Sequence, residues 1–401
     1  MDLLRFTTAG SVDDGKSTLI GRLLYDTGNI KTDILETLSL EGGLNLAHVT
    51  DGLRAERKQK ITIDVAYKYF STPHRKFIIT DAPGHFEYTR NLVTGASNVD
   101  IMIILVDAQN GITAQTRRHS MVASFLKVGN VIVAINKMDL SNYSEEVYDR
   151  IKNEYMQIAA KLRLQHISFI PISALNGDNV TTASANTPWY NGPAILTLLE
   201  SYEIPTQQYA HLRLTIQCSI QDGQQGFAGK ILSGTLHSGD KVVIHPSGRQ
   251  TTVSKVIHNY DPVTETHAPA NVCIFLDNDT PLKRGDTISH AHDTPMHGHD
   301  LNTDICWMDA TTVLDKSKTY LLRINTAEAH CTVPAIAHKI NIDTLEHYTE
   351  DAPLEANQFA TVQIKTREKI AWDHFASVPE NARGILIDPD TNNTVAAFII
   401  K

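Results

Sequence analysis

Gly10-Ser11-Val12-Asp13-Asp14-Gly15-Lys16-Ser17 is the stretch of sequence that decides the fold of this chain. An apolar run, Leu3 to Ala9, precedes it, and apolar residues with the period of a helix follow it, at Leu19, Ile20, Leu23 and Leu24. The pattern predicts a buried strand, a glycine-rich loop of the form G-x-x-x-x-G-K-S, and a helix that starts at the loop. Because both neighbours are in place, a phosphate-binding loop is favoured over an ordinary glycine turn.

The chemistry of this loop suits the phosphates of a nucleotide. Glycines let the backbone curl so that successive N–H groups point at phosphate oxygens, and the start of the helix adds a positive dipole end. We expect Lys16 to reach the β- and γ-phosphates and the Ser17 hydroxyl to ligate Mg²⁺. The residues expected to surround the phosphates are Gly10, Ser11, Val12, Asp13, Asp14, Gly15, Lys16, Ser17 and Thr18.

A second motif, Asn136-Lys137-Met138-Asp139, predicts which base is bound. It follows the apolar run Val131 to Ile135, so it is expected at the carboxyl edge of a parallel sheet, where doubly wound folds bind ligands. The Asp139 carboxylate can accept hydrogen bonds from the ring N–H and the exocyclic amine of guanine, and adenine offers neither in that geometry. Taken alone the motif could be a polar loop; after a phosphate loop it predicts GTP and GDP as ligands.

A further strand, Ile167 to Ile172, ends in Ser173-Ala174-Leu175. A backbone N–H of this segment is expected to meet the guanine carbonyl. The site for the base is therefore predicted to combine two strand ends.

The elements for hydrolysis lie between these motifs. The predicted strand Phe77 to Thr80 leads into Asp81-Ala82-Pro83-Gly84-His85. We expect Asp81 to hold Mg²⁺ through water and the N–H of Gly84 to approach the γ-phosphate. His85 is the candidate to orient the attacking water, with Lys16 and Gly84 as the other catalytic residues; the alternative for His85 is a histidine of a surface turn.

Upstream, Ile61 to Tyr67 alternates like a strand, and Thr62 at its start is a candidate ligand of the metal through its hydroxyl. Loss of the γ-phosphate would release both this segment and the one after Asp81. The two segments are therefore candidate switches.

Length and pattern predict the domain organisation. A chain of 401 residues with 42% hydrophobic residues suffices for two or three domains. Helices alternate with apolar strands to about Glu200, and short alternating segments separated by turns follow from Arg213 onward, which predicts β-barrels. We predict an α/β domain with a mostly parallel, doubly wound sheet at residues 1–205, then β-barrels at 206–298 and 299–401. Tyr202 to Gln208 is the expected linker.

Charge and hydropathy limit the partners. The net charge of -9 argues against a broad nucleic-acid surface. No signal peptide precedes the first predicted strand, and no apolar stretch approaches the length that spans a bilayer. We therefore expect a cytoplasmic protein without nucleic-acid or membrane partners.

Neither the histidines nor the cysteines predict a metal site. Four histidines lie within ten residues: His290, His292, His297 and His299. They span a predicted linker with Pro295 and Gly298, and no Cys or Glu completes a ligand shell, so a solvated loop is favoured. The cysteines form no C-x-x-C pair and are predicted to be buried free thiols, at Cys218, Cys273, Cys306 and Cys331.

The motifs together resemble the translation-factor branch of GTPases and, within it, the GTPase subunits of bacterial sulfate adenylyltransferase (ATP sulfurylase). Asp13-Asp14 stand where elongation factors usually carry Asp-His. Segments without an obvious role in nucleotide binding carry the same resemblance: Tyr88-Thr89-Arg90-Asn91, Gln115-Thr116-Arg117-Arg118-His119-Ser120, Gly226-Phe227-Ala228-Gly229 and Thr391-Asn392-Asn393-Thr394-Val395-Ala396-Ala397.

The resemblance implies a GTPase domain followed by two barrels of the elongation-factor type, with GTP or GDP and Mg²⁺ as cofactors. It implies a small catalytic partner subunit of the ATP-pyrophosphatase type, in a heterodimer or larger assembly. By resemblance, GTP hydrolysis drives that partner's synthesis of adenylylsulfate and pyrophosphate from ATP and sulfate in sulfate assimilation.

Two other functions stay open at this point. A translation elongation or release factor would share the fold and the nucleotide site but would carry RNA on its barrels. Lys60 precedes Ile61-Thr62 where family members usually have Gly, which restricts φ and adds a charge near the nucleotide. A module that holds GTP as a structural ligand with little turnover is therefore the third hypothesis.

Overall fold

The computed structural model describes residues 2–30, 46, 65–83, 89–204, 211–222, 224–277, 280–350 and 352–401. It divides into two compact units. The first comprises Met1–Pro205 with Asn341–Glu346, and the second comprises Thr206–Ile340 with His347–Lys401.

A six-stranded sheet in the order β2-β3-β1-β4-β5-β6 forms the centre of the first unit. Its strands are β1 (Leu3–Ala9), β2 (Ala66–Ser71), β3 (Lys76–Asp81), β4 (Ile101–Asp107), β5 (Asn130–Asn136) and β6 (Ile167–Pro171). Among the described strand pairs of this sheet, only β2–β3 is antiparallel. All seven residues of β4 are buried, as expected for a central strand covered on both faces.

Five helices are described in this unit: α1 (Lys16–Asp26), α2 (Thr89–Ala96), α3 (Ala114–Phe125), α4 (Glu145–Leu162) and α5 (Ile195–Ser201). Local sequence explains where two of them begin. Thr113 forms a capping box with Thr116 at the start of α3, and the Ser144 hydroxyl accepts from the N–H of Val147 at the start of α4. These caps satisfy N–H groups that the helices leave unpaired.

The parallel register brings the ends of neighbouring strands together at one edge of the sheet. Asp107, the last residue of β4, lies opposite Asn136, the last residue of β5. Thr8 of β1 lies opposite Asp81, the last residue of β3. Three segments that are far apart in sequence therefore meet where β1 enters the glycine-rich loop.

The second unit contains two closed barrels, each a ring of six antiparallel strands. The first ring consists of β7 (Arg213–Asp222), β8 (Gln224–Ser233), β10 (Lys241–His245), β11 (Arg249–His258), β14 (Ala270–Leu276) and β15 (Thr287–His290), and the β10–β11 pair closes it. Short strands lie outside the ring: β9 (Thr235–His237), β12 (Asp261–Val263) and β13 (Glu265–His267).

The second ring is closed by the pair β17–β18. Its strands are β16 (Met296–Trp307), β17 (Tyr320–Ile324), β18 (Ala327–Ile340), β20 (Phe359–Trp372), β21 (Arg383–Ile387) and β22 (Thr394–Ile400), and the short β19 (His347–Tyr348) extends β18. The predicted architecture, an α/β domain followed by two β-barrels, is confirmed.

The predicted boundary between residues 298 and 299 falls inside a strand, because β16 begins at Met296. Residues 297–300 carry no apolar side chain and suggest a linker, but Met296 and His297 pair with Trp372 and Ala371 of β20 through their backbones. Backbone pairing does not require apolar side chains, so the pattern missed this part of the strand. We propose that the barrels divide just before Met296.

The predicted solvated histidine loop is partly wrong: His292 lies in the exposed segment between β15 and β16, and His297 and His299 are exposed as predicted, but three of the four histidines belong to strands. His290 ends β15, and His297 and His299 belong to β16. Among the described residues, no group of three or more His, Cys, Asp or Glu side chains is arranged to hold a metal ion.

Two of the four cysteines are not buried as predicted. Cys218 is exposed and Cys273 is half-buried, whereas Cys306 and Cys331 are buried. Cys218 and Cys273 lie on outward-facing positions of the first barrel. The alternation of apolar and polar residues in the sequence did not distinguish these positions from inward-facing ones. Burial raises the pKa of the Cys331 thiol to about 12, so it stays protonated.

No helix in the described part of the chain is long and apolar enough to cross a membrane.

Candidate nucleotide-binding site

The glycine-rich loop connects β1 to α1, as the sequence predicts. Gly15 has φ 95°, and a Cβ built there would lie 2.4 Å from Nδ2 of Asn136. Both the backbone conformation and the space therefore require glycine. Helix α1 begins at Lys16, so its unpaired N–H groups face the loop.

Lys16 is folded back onto the loop. Its Nζ donates to the carbonyl oxygens of Gly10, at 2.9 Å, and Ser11, at 2.8 Å. The side chain is buried, and burial lowers the pKa of the ammonium while nearby carboxylates oppose that effect. The carbonyl oxygens thus hold the ammonium at the loop through two of its three N–H groups, which leaves one N–H for a phosphate oxygen.

Asp14 is buried under the same loop. Its Oδ2 accepts from the N–H of Ser11 at 2.5 Å, and its own N–H donates to the carbonyl of Ser11 at 3.3 Å. Burial raises the pKa of the Asp14 carboxyl. Sequence analysis placed Asp14 among the phosphate-binding residues but did not predict a buried side chain.

Asn136 joins the phosphate loop to the segments predicted to bind the base. Its Nδ2 donates to the carbonyl of Asp14 at 2.7 Å, and its Oδ1 accepts from the N–H of Ala174 at 2.9 Å. Asn136 is 2% exposed. One side chain therefore holds three predicted site segments in a common arrangement.

Lys137 and Asp139 are placed by different means. Lys137 has φ 62° and its Nζ forms an ion pair of 2.8 Å with Oδ2 of Asp107. A short 3₁₀ helix, Met138–Ser141, follows, and the N–H of Met138 donates to the carbonyl of Ile172. Asp139 is half-buried in this helix, so its carboxylate remains available to a base.

The segment Ser173-Ala174-Leu175 is held by hydrogen bonds on both sides. The Ser173 carbonyl accepts from the N–H of Gly177 at 2.7 Å. Arg22 of α1 donates through Nε to the carbonyl of Ala174 at 3.3 Å and through its other nitrogen to that of Leu175. The Arg22 guanidinium thus links the 173–175 segment to α1, the helix that follows the phosphate loop.

Sequence reasoning missed three residues of this arrangement. They are Asp107, which pairs with Lys137, Arg22, which binds the 174–175 backbone, and Thr113, whose Oγ1 lies 3.2 Å from the Ser11 Oγ. Asp107 carried a usable signal, since it ends an apolar strand just as Asp81 does. Arg22 and Thr113 carried none, because their partners depend on the tertiary fold.

The described part of the proposed magnesium site has suitable donors. Asp81 is 2% exposed at the end of β3, and its charge partly opposes the lowering of the Lys16 pKa by burial. Ser17 lies in the first turn of α1, and Ala82 and Pro83 follow Asp81. A carboxylate and a hydroxyl are oxygen ligands of the kind that Mg²⁺ prefers. Lys60, Thr62, Gly84 and His85 lie outside the described residues, so their roles remain predictions.

A glycine-rich phosphate loop and an Asn-Lys-x-Asp segment at one edge of a doubly wound sheet define a GTP-binding protein of the P-loop class. The family model for the elongation factor Tu GTP binding domain matches residues 1–221, and the model for the GTP-eEF1A C-terminal domain-like family matches residues 300–401.

Curated relatives match nearly the whole chain. Sulfate adenylyltransferase subunit 1 of Pseudoalteromonas atlantica is 42% identical, covering 100% of this chain and 87% of its own. The protein of that name from Bacteroides thetaiotaomicron is 39% identical, covering 100% and 86%. The bifunctional enzyme CysN/CysC of Mycobacterium tuberculosis is 41% identical, covering 99% and 67%. The chain belongs to the sulfate adenylyltransferase subunit 1 family.

Proposed function

We propose that this chain is the GTP-hydrolysing subunit of a sulfate adenylyltransferase, and that its hydrolysis drives the formation of adenylylsulfate and pyrophosphate from ATP and sulfate in sulfate assimilation. The relationship to sulfate adenylyltransferase subunit 1 over the full chain supports the reaction. The bridge from Asn136 to Asp14 and Ala174 carries the proposal for the site, because it unites the phosphate loop with the segments for the base.

Lys16 is positioned to bind the β- and γ-phosphates. The carbonyls of Gly10 and Ser11 hold two N–H groups of its ammonium, and the phosphates offer a charged acceptor to the third. Asp139 selects guanine by accepting two hydrogen bonds, while an N–H of the 173–175 segment donates to the guanine carbonyl.

We propose that Ser17 and Asp81 hold Mg²⁺, with Asp81 acting through water and Thr62 added when the first switch closes. The ion would neutralise charge that develops on the phosphates during hydrolysis. The Lys16 ammonium shares in that neutralisation.

For hydrolysis itself we retain the predicted roles of two residues outside the described part of the chain. His85 orients the attacking water, and the N–H of Gly84 donates to the γ-phosphate. The sequence offers no evident arginine finger, so a charge-stabilising residue is proposed to come from the partner.

The adenylyl transfer requires a second nucleotide site. The motif G-x-x-x-x-G-K-S occurs once in this sequence, at Gly10 to Ser17. We propose that a small catalytic subunit of the ATP-pyrophosphatase type binds ATP and sulfate. Formation of the phosphosulfate anhydride is strongly uphill, so coupling to GTP hydrolysis would raise the yield above what ATP and sulfate alone support.

The decisive experiment measures labelled adenylylsulfate formed by this chain and its catalytic partner, with and without GTP. We expect GTP to raise the yield and Lys16→Ala to abolish that rise while leaving the partner's basal activity. Lys152→Ala, which removes a lysine on α4 away from the site, serves as the matched control and should retain the rise. Equal yields with and without GTP, from a bound and active partner, would contradict the coupling and favour a translation-factor function.

A further inference from the structure

Asp14 places a negative charge inside a loop whose ligand is itself strongly negative. The residue is 4% exposed, and a Cβ on Gly10 would lie 3.2 Å from its Oδ2. The carboxylate therefore sits in the concave turn formed by Gly10 and Ser11, away from solvent. There its Oδ2 accepts a hydrogen bond from the N–H of Ser11.

The Asp14 carboxylate supports the shape of the loop. It accepts from the N–H of Ser11, and the backbone of Asp14 closes the same turn by donating to the carbonyl of Ser11. The Asp14 carbonyl is in turn held by Asn136. An asparagine at position 14 could keep all three contacts, since its side-chain oxygen also accepts a hydrogen bond.

The negative charge of Asp14, unlike its hydrogen bonds, opposes the binding of phosphates. The charged groups that act on Asp14 are Lys16 in the loop, Lys137 after β5 and Asp107 at the end of β4. Lys137 is already paired with Asp107, so Lys16 is the cation left to balance Asp14. Phosphates that recruit Lys16 would leave the buried carboxylate facing further negative charge, and such repulsion is strong away from water.

We propose that Asp14 sets the rate of GDP release: its carboxylate supports the turn of the loop and repels bound phosphates. The inference rests on the proposed function only in requiring that nucleotide binds in this loop. It assigns to Asp14 a positioning and affinity-limiting role rather than a direct contact with phosphate.

Two variants separate the effect of the Asp14 charge from that of its hydrogen bond to the Ser11 N–H. Asp14→Asn keeps the acceptor for the Ser11 N–H and removes the charge, so we expect GDP to dissociate about tenfold more slowly, or slower still. Asp14→Ala removes both, so we expect it to release GDP faster than Asp14→Asn does. The measurement is the displacement of a fluorescent GDP analogue by excess GDP in the presence of Mg²⁺. Asp149→Asn, at an exposed position of α4, removes an equal charge away from the loop and should leave the rate unchanged.

The pH dependence provides a readout that a purely structural role would not affect. Bound phosphates favour the protonated form of Asp14, so part of the GDP affinity should decline as pH rises in the parent protein. This pH-dependent part of the affinity should be missing in Asp14→Asn. Subtracting the pH profile of Asp14→Asn from that of the parent removes the contribution from titration of the nucleotide itself.

Three results would overturn the proposal. They are release from Asp14→Asn as fast as from the parent with the same pH profile, weaker GDP binding by a folded Asp14→Asn, and release from Asp14→Ala no faster than from Asp14→Asn. A parent protein that binds no guanine nucleotide would instead contradict the proposed function. A parent that binds nucleotide but fails to drive adenylylsulfate synthesis would leave the role of Asp14 intact.

Discussion

Asn136 shows how a single uncharged side chain organises the nucleotide site. Its amide donates to the backbone of the phosphate loop and accepts from the backbone of the 173–175 segment, and both bonds are buried. Breaking either bond would leave a buried polar group unsatisfied, at a cost of about 1–3 kcal/mol. The Asn of the Asn-Lys-x-Asp motif therefore acts on the protein, whereas we propose that the Asp acts on the base.

Asp139→Asn should change the preferred nucleotide from GTP toward xanthosine triphosphate. The variant replaces one carboxylate oxygen by an amide donor, and xanthine carries a carbonyl where guanine carries its amine, so the pairing is restored with the other base. Competition of the two triphosphates against a fluorescent GDP analogue measures the shift.

The parent protein should show the reverse preference in the same assay. Equal GTP affinity in Asp139→Asn and the parent would remove Asp139 from the recognition of guanine.

The identities of the motif residues were predictable from the sequence, but their side-chain partners were not. The spacing of Gly10, Gly15 and Lys16 identifies the loop, since few other structures need these residue types in that order. The contact between Lys137 and Asp107 depends on the register of β4 against β5, which no local pattern encodes. The buried position of the Asp14 carboxylate likewise depends on the turn closed by Ser11.

Helix α3 contains a histidine that the fold keeps neutral. His119 is 1% exposed, and its Nε2 lies 3.0 Å from Nε2 of Gln115. Its Nδ1 has no hydrogen-bond partner among the residues that the structure describes. Burial, with smaller effects from the charges of Lys16 and Arg118, lowers the pKa of His119 to about 3.

Acid should therefore destabilise the protein through His119. The folded pKa lies below the unfolded value of about 6.5, so the unfolded state binds more protons, and stability is lost as pH falls below about 6.5. At pH 5 the expected loss is about 2 kcal/mol. Urea unfolding of the parent and of His119→Gln at pH 7 and pH 5 measures it.

In His119→Gln the drop in the free energy of unfolding between those pH values should be smaller by about this amount, because glutamine does not titrate. An identical drop in both proteins would mean that His119 is not kept neutral in the folded state.

At the scale of elements, alternation and apolar runs predicted the strands that contribute to a core. They failed for the start of β16, where no apolar side chain occurs at residues 297–300 and the place in the barrel comes from backbone pairing with β20. Pairing across more than sixty residues is a property of the closed barrel rather than of either segment.

Within the second unit, a buried ion pair links the two barrels. Arg213 of β7 donates to both carboxylate oxygens of Asp373, which follows β20, at 2.8 Å each. Arg213 is 2% exposed, and Asn381 donates to the same carboxylate at 2.8 Å. A bidentate ion pair of this kind fixes the relative orientation of the two side chains as well as the distance between them.

Arg213→Met should destabilise the second unit by about 3–5 kcal/mol, because it leaves the Asp373 charge buried without its cation. Adding Asp373→Asn should recover part of that loss, since it removes the buried charge of Asp373. Asp293, which also pairs with Arg213, keeps His211 as a partner in both variants. Thermal and urea unfolding of the single and double variants measure the effect. A single variant as stable as the parent, or a double variant less stable than the single one, would contradict this account.

Closure of the two six-stranded rings has a consequence for how partners can dock. In a closed ring every strand has neighbours on both sides, so its backbone N–H and C=O groups are used wherever both neighbours overlap it. Strand ends that project beyond one neighbour, such as residues 217–222 of β7, pair on one side only among the described strands. A partner could extend the sheet, as extended peptides do on open sheets, at such projecting ends. Recognition on the rest of the rings depends on side chains that project outward, and for that reason single substitutions there can tune one partner's affinity while the fold is kept.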